Sequence, residues 1–131
     1  MKVLFDNNLS PRLARCLQAL MGDEHEIVAL RDRFPMNTKD IDLIAELSRQ
    51  GGWIMISGDR RITRNKAERQ AFQNSRIIGM FLSPGLYKAP ILKQAERLIA
   101  LWPSIEKVAA GVTGGSMFEL PMTSLKISSL K

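Results

Sequence analysis

Cysteine and histidine are almost missing from this chain of 131 residues, which holds one of each, Cys16 and His25. A single thiol cannot close an internal disulfide, and with no second cysteine a thiolate zinc centre is excluded as well. The expected compartment is a reducing cytosol. No apolar run approaches the roughly 18 residues that a membrane helix requires. The N-terminus enters a strand pattern without a basic region and apolar leader ahead of it, so a cytoplasmic protein with no membrane partner is expected. Neither an internal repeat nor a linker-like stretch breaks the chain. It reads as one domain, residues 1–131, with a core over about 1–110 and an arm or short edge strands over 111–131. Acidic residues are also in short supply, 13 against 19 Lys and Arg, for a net charge of +6. That balance favours a polyanionic partner, with nucleic acid the leading candidate.

Because acids are few, their positions carry information. Lys2 to Phe5 is a short apolar run that reads as a central strand covered on both faces, and Asp6 ends it. Ser10-Pro11 opens a helix whose stripe is Leu13, Cys16, Leu17 and Leu20, with Cys16 expected as a small buried hydrophobe. His25 to Leu30 reads as a second strand, with His25 at its start and away from the end where Asp6 lies. A second helix is predicted from about Lys39 to Gln50, capped by Asn37-Thr38 and stopped by Gly51-Gly52. On a helical wheel Asp40 falls in the apolar arc with Ile41, Leu43, Ile44, Ala45 and Leu47, whereas Asp42 and Glu46 lie opposite, beside Arg49. Trp53 to Ile56 is a further apolar strand, ending in Ser57-Gly58-Asp59. Ser57 and Gly58 are small enough to let a phosphate approach the backbone.

A basic run follows, Arg60, Arg61, Arg64, Lys66 and Arg69 among its residues, leading into a helix with Ala67, Ala71 and Phe72 on its buried side. Arg76 to Leu82 reads as a fourth strand and Ser83-Pro84-Gly85 as a turn. A long amphipathic helix then starts at Ala89-Pro90 and is expected to break at Pro103. Segments 116–120 and 124–127 suggest edge strands or a terminal arm. Alternation of strand and helix predicts an α/β fold: a mostly parallel central sheet with right-handed crossovers and helices on both faces.

In such a sheet Asp6, Asp40 and Asp59 meet at one edge. Close carboxylates repel, and a hard cation, Mg²⁺ or Mn²⁺, relieves the repulsion. With a basic rim the economical chemistry is metal-assisted attack of water on a phosphodiester. Arg60, Arg61, Arg64 and Lys66 are the expected phosphate contacts, with Asn7 and Ser57 beside the acids.

These segments also resemble a known family. Residues 2–10, the Asp40-to-Ala45 helix start and residues 54–59, in this order and spacing, are similar to PIN and PIN-like nucleases over about residues 1–82, in particular small stand-alone proteins of bacterial toxin-antitoxin pairs. The resemblance implies a PIN-like three-layer fold and divalent-metal-dependent ribonuclease activity. It also implies a homodimer held in check by an antitoxin protein. By the family's pattern Asp6 and Asp59 are metal ligands and Asp40 is the helix-borne acid between them. A fourth acid common among relatives is missing after Asp59, where Arg60 and Arg61 stand. The long helix and Met117-Phe118 offer a dimer face.

Two other function classes are compatible with the same residues. One is a non-catalytic RNA- or protein-binding module on the same scaffold. The other is a phosphoacceptor or nucleotide-binding domain, disfavoured because no second acid directly follows Asp6 and no glycine-rich phosphate loop is present.

Overall fold

The computed structural model describes residues 1–60 and 64–130. Six strands, β1 (Lys2–Phe5), β2 (Glu26–Ala29), β3 (Trp53–Ser57), β4 (Ile78–Leu82), β5 (Met117–Leu120) and β6 (Ser128–Ser129), form one sheet in the order β2-β1-β3-β4-β5-β6. All neighbours run parallel except β5 and β6. The helices described are α1 (Pro11–Met21), α2 (Leu30–Arg33), α3 (Asp40–Gln50), α4 (Lys66–Gln73), α5 (Pro84–Lys88) and α6 (Ile91–Gly111). None is long and apolar enough to cross a membrane.

Side chains alternate between the two faces of a strand, so a strand covered on both sides must be apolar at every position. That is why β1 is apolar from Val3 to Phe5 and β3 from Trp53 to Ile56. Val3, Phe5, Ile54, Ile56, Met80, Leu82 and Leu120 face one layer, where Leu13, Ala14 and Leu17 of α1 and Leu98, Leu101, Trp102 and Ile105 of α6 pack. Leu4, Trp53, Met55, Phe81 and Met117 face the other, against Leu43, Ile44 and Leu47 of α3 and Phe72 of α4. Each such side chain taken fully out of water contributes about 1.5–3 kcal/mol. Close packing in the second layer fixes Gly79: an added Cβ would stand 2.8 Å from the Phe72 ring and 2.9 Å from that of Phe81.

The crossovers do not all share one hand. From β1 the chain moves outward through α1 on the first face. From β2 it returns past β1 through α3 on the second face, and α4 carries it from β3 to β4 on that same face. These three connections have the same hand. The step from β4 to β5 continues in the same direction but through α6 on the first face, so its hand is opposite, contrary to the expectation of uniformly right-handed crossovers.

Several local expectations are corrected. In α1 the core-facing stripe is Leu13, Ala14 and Leu17, while Cys16 and Leu20 are exposed. Helix α6 does not break at Pro103 but runs through it. Ring and missing N–H lie on the exposed side, where water can take the freed carbonyl, while buried Trp102 and Ile105 hold both halves against the sheet. Helix α3 starts without a side-chain cap at Lys39, because the Thr38 hydroxyl donates instead to the Pro35 carbonyl. Ala67 is exposed, leaving Phe72 as the buried anchor of α4. Ser83 is no mere turn residue: its hydroxyl accepts from the Leu86 N–H and caps α5. Residues 117–120 are an inner strand rather than an arm, and Met117 is buried in the core.

Candidate active site

The strand order changes direction between β1 and β3, since the connection from β1 leaves to one side and β3 lies on the other. Open α/β sheets bind ligands at the carboxyl ends of strands at such a switch point. Here a cleft of about 310 Å³ opens, lined by Asp6, Asp40, Asp59, Asn65 and Glu68 over a floor of Leu43, Ile44 and Met55. The three aspartates predicted from sequence are thus brought together. Asp40 reaches the cleft from the first residue of α3, while Asp42 is exposed and Glu46 pairs with Arg49 on the outer side. Ile41 and Ala45, expected in the apolar arc beside Asp40, are exposed instead.

Asp6 is held from all sides. Its backbone N–H donates to the Ile56 carbonyl, extending the β1–β3 ladder past the end of the strand. Its Oδ1 accepts from the Asn7 N–H at 2.8 Å, and its Oδ2 accepts from Asn8 Nδ2 and from the Ser57 hydroxyl, both at 3.2 Å. The Ser57 oxygen in turn accepts from Asn8 Nδ2 at 3.0 Å and from the Asp59 N–H at 3.1 Å. Asn8 Oδ1 accepts from the Gly58 N–H at 2.8 Å. One small network therefore ties the loop after β1 to the loop after β3 and sets the positions of both acids. Burial holds the Asp6 carboxyl above its ordinary value of 3.8. The Asn7 N–H and Ser57 hydroxyl oppose this rise, Asp40 adds to it, and Asn8 opposes it. A site in which one carboxylate raises the proton affinity of another is a site that attracts positive charge.

Two residues were not singled out from the sequence. Asn8 is the hub of the network, yet an asparagine three residues past a strand reads as an ordinary turn residue. Glu68 supplies the fourth carboxylate of the cleft, from α4 rather than from the position after Asp59 where it was sought. Its signal was local: the Asn65 side chain caps α4 by accepting from the Glu68 N–H at 3.0 Å, which places Glu68 in the first turn.

The expected phosphate contacts divide. Arg60 turns away to pair with Glu119 of β5 at 2.6 Å, and with Arg64 it lines a second cavity beside the first. Lys66 is exposed at the start of α4 and lines neither cavity. Asn7 is exposed, whereas Ser57 is fully buried beneath the acids and has no surface for a ligand. Gly58 is small for a different reason than expected: the Tyr87 ring occupies the place of its missing Cβ, 2.1 Å from where that atom would be. Arg61 lies outside the described residues.

As a donor set the cleft is all oxygen, four carboxylates and the Asn65 amide, which suits a hard divalent cation and not a soft one. Among the described residues no three acidic, histidine or cysteine side chains are gathered tightly enough to hold an ion as they stand. A cation here would draw the acids inward or complete its shell with water or phosphate oxygens.

A family model described as PIN like domain matches residues 1–84. That segment runs from β1 through β4 and contains all four acids of the cleft. No curated protein and no solved structure matches the chain.

Proposed function

The chain belongs to the PIN-like domain family, whose domains are generally nucleases, and from that premise we propose that it is a divalent-metal-dependent endoribonuclease. The single observation that carries this reading is the convergence of Asp6, Asp40, Asp59 and Glu68 on one cleft at the switch point between β1 and β3.

These four carboxylates are the residues that would hold Mg²⁺ or Mn²⁺, and such an ion supplies a polarised phosphoryl oxygen and an activated water. The protein's own contribution is positional. The Asp6 side chain is fixed by three hydrogen bonds and the backbone of Asp59 by its N–H to Ser57, which sets where each acid enters the cleft. Asp40 enters the cleft from the first turn of α3, at the positive end of the helix dipole. The net positive charge of the chain steers RNA towards an acidic cleft that would otherwise repel it.

The reading extends to a toxin of a toxin-antitoxin pair, a homodimer neutralised by a partner protein. It is supported by resemblance to small stand-alone PIN-like toxins. The exposed Leu92 and Ile99, seven residues apart on one side of α6, offer an apolar contact for either partner. A second reading, an RNA-binding module that does not cut, is favoured by one detail: both Asp6 oxygens already accept hydrogen bonds and are not free to turn outward. Incubating an RNA panel with the protein in Mg²⁺, in Mn²⁺ and in excess chelator separates the two. The nuclease reading expects internal cleavage with either ion and none in chelator, whereas intact RNA in every arm selects the binding module.

A further inference from the structure

The residue that follows Asp59 is an arginine, yet the acid it is paired with is Glu119. Arg60 reaches across the end of β4 to β5, where its Nη2 donates to Glu119 Oε2 at 2.6 Å, with the Leu82 carbonyl at 3.5 Å. The two side chains are 24% and 29% exposed, so the pair is largely shielded from water. Removing one partner of such a pair leaves the other charge poorly solvated and in need of a new partner.

The surroundings say which partner that is. A recess of about 220 Å³ beside the acidic cleft is lined by both Arg60 and Asp59. Among the described residues lining it Asp59 is the one carboxylate, and the other charged side chains, Arg64 and Lys88, are cations. Asp59 also lines the acidic cleft. A guanidinium is charged at every relevant pH, and its planar fork matches a carboxylate. Released from Glu119, Arg60 can turn to Asp59 and take the place of a cation there.

Glu119 itself comes from outside residues 1–84, the segment that matches the family model. It stands beside Phe81 in the β4–β5 register, between buried Met117 and Leu120, so its place is set by the sheet.

We propose that Glu119 is a positioning residue of the acidic cleft: by binding Arg60 it keeps that guanidinium off Asp59, so the acids meet a divalent cation without an internal competitor. The inference rests on the metal-dependent ribonuclease reading for the role of the acids, and one arm of its test needs neither metal nor RNA.

Mn²⁺ affinity is measured by electron paramagnetic resonance of the free ion for the wild type, Glu119→Leu, Arg60→Met and the double variant R60M/E119L. Glu119→Leu removes both charge and acceptor, and Arg60→Met keeps much of the apolar stem. Glu119→Leu is expected to bind Mn²⁺ roughly 10- to 100-fold more weakly. Arg60→Met binds no more weakly than the wild type, and the double variant recovers wild-type affinity. That recovery separates the proposal from a simple brace, because a loop held in place by the ion pair loses affinity alike in both single variants and in the double. Equal losses in all three, or wild-type affinity in Glu119→Leu, overturn the proposal. The second arm is a crystal structure of metal-free Glu119→Leu, in which the Arg60 guanidinium is expected to be hydrogen-bonded to Asp59. A guanidinium still directed towards β5, or out into solvent, overturns the proposal. A wild type that binds no Mn²⁺ defeats the ribonuclease reading alone, and the crystal structure then decides this inference by itself.

Discussion

The buried hydroxyl of Ser57 lies 3.2 Å from Oδ2 of Asp6, joining the ends of two strands that are 51 residues apart in the chain. Its single proton can serve either that carboxylate or Asn8 Oδ1, 3.3 Å away, and the charged oxygen is the stronger acceptor. Ser57→Ala removes this bond and deprives the Asp59 N–H and Asn8 Nδ2 of their shared acceptor. Urea denaturation is expected to show a loss of about 1–3 kcal/mol, the usual cost of stranding buried donors. The Asp6 carboxyl is expected to rise further, since one of the groups holding it down is gone.

Asp6 and Asp40 sense one another directly. Burial is the main cause of the raised Asp6 pKa and the charge on Asp40 a further one. Following the Asp6 carboxyl carbon by NMR in metal-free protein should give a midpoint above 3.8 in the wild type and a lower one in Asp40→Asn. The sign for stability follows from proton binding. Between 3.8 and the raised value the native protein holds a proton that the unfolded chain has released, so the contribution of Asp6 to stability falls as pH rises through that interval and is level above it. A midpoint that Asp40→Asn leaves in place would mean that the two acids are not electrostatic neighbours.

Glu68 takes part in the cleft without standing near Asp59 in sequence. Glu68→Gln keeps the shape of the side chain and its backbone contact to Asn65 while removing one negative charge. Cleavage at limiting Mn²⁺ should drop about 10- to 100-fold, with partial recovery as Mn²⁺ is raised. A variant with wild-type metal dependence would place Glu68 outside the site.

Gly58→Ala leaves every acid untouched but puts a methyl group where the Tyr87 ring lies. Displacing that ring should lower stability by about 1–3 kcal/mol as overpacking does, measurable as a lower urea midpoint. Wild-type stability would contradict the close approach of ring and backbone.

Much of this arrangement was legible in the sequence because burial on both faces leaves a strong mark. Residues 2–5 and 53–56 read as inner strands, and inner parallel strands deliver whatever follows them, Asp6 and Asp59, to a common edge. Asp40 was legible from helical periodicity, although the arc used to place it was too wide, since Ile41 and Ala45 face solvent. The same excess of apolar residues over buried positions misled the reading of α1: Ala14 fills a site that Cys16 had seemed to claim. What the sequence left hidden was held by contacts between distant segments. Arg60 sits in a run that reads as a solvated basic face, and only the folding of β5 brings Glu119, 59 residues away, against it. Asn8 and Glu68 each have an ordinary local role, turn residue and first-turn acid, which masks their place at the cleft. The reversed hand of the β4-to-β5 connection leaves no trace in residue pattern, because a long amphipathic helix can cover either face.

The central claim is that Asp6 and Asp59 act together in hydrolysis of RNA, and the most direct measurement is the cleavage rate of one RNA substrate in Mn²⁺ by the wild type, Asp6→Asn and Asp59→Asn, each checked for wild-type folding by circular dichroism. Loss of a metal-ligating or water-positioning carboxylate is expected to cost about 100-fold or more in each variant, some 2.7 kcal/mol of transition-state stabilisation. Cleavage that survives both substitutions at near the wild-type rate would contradict the account.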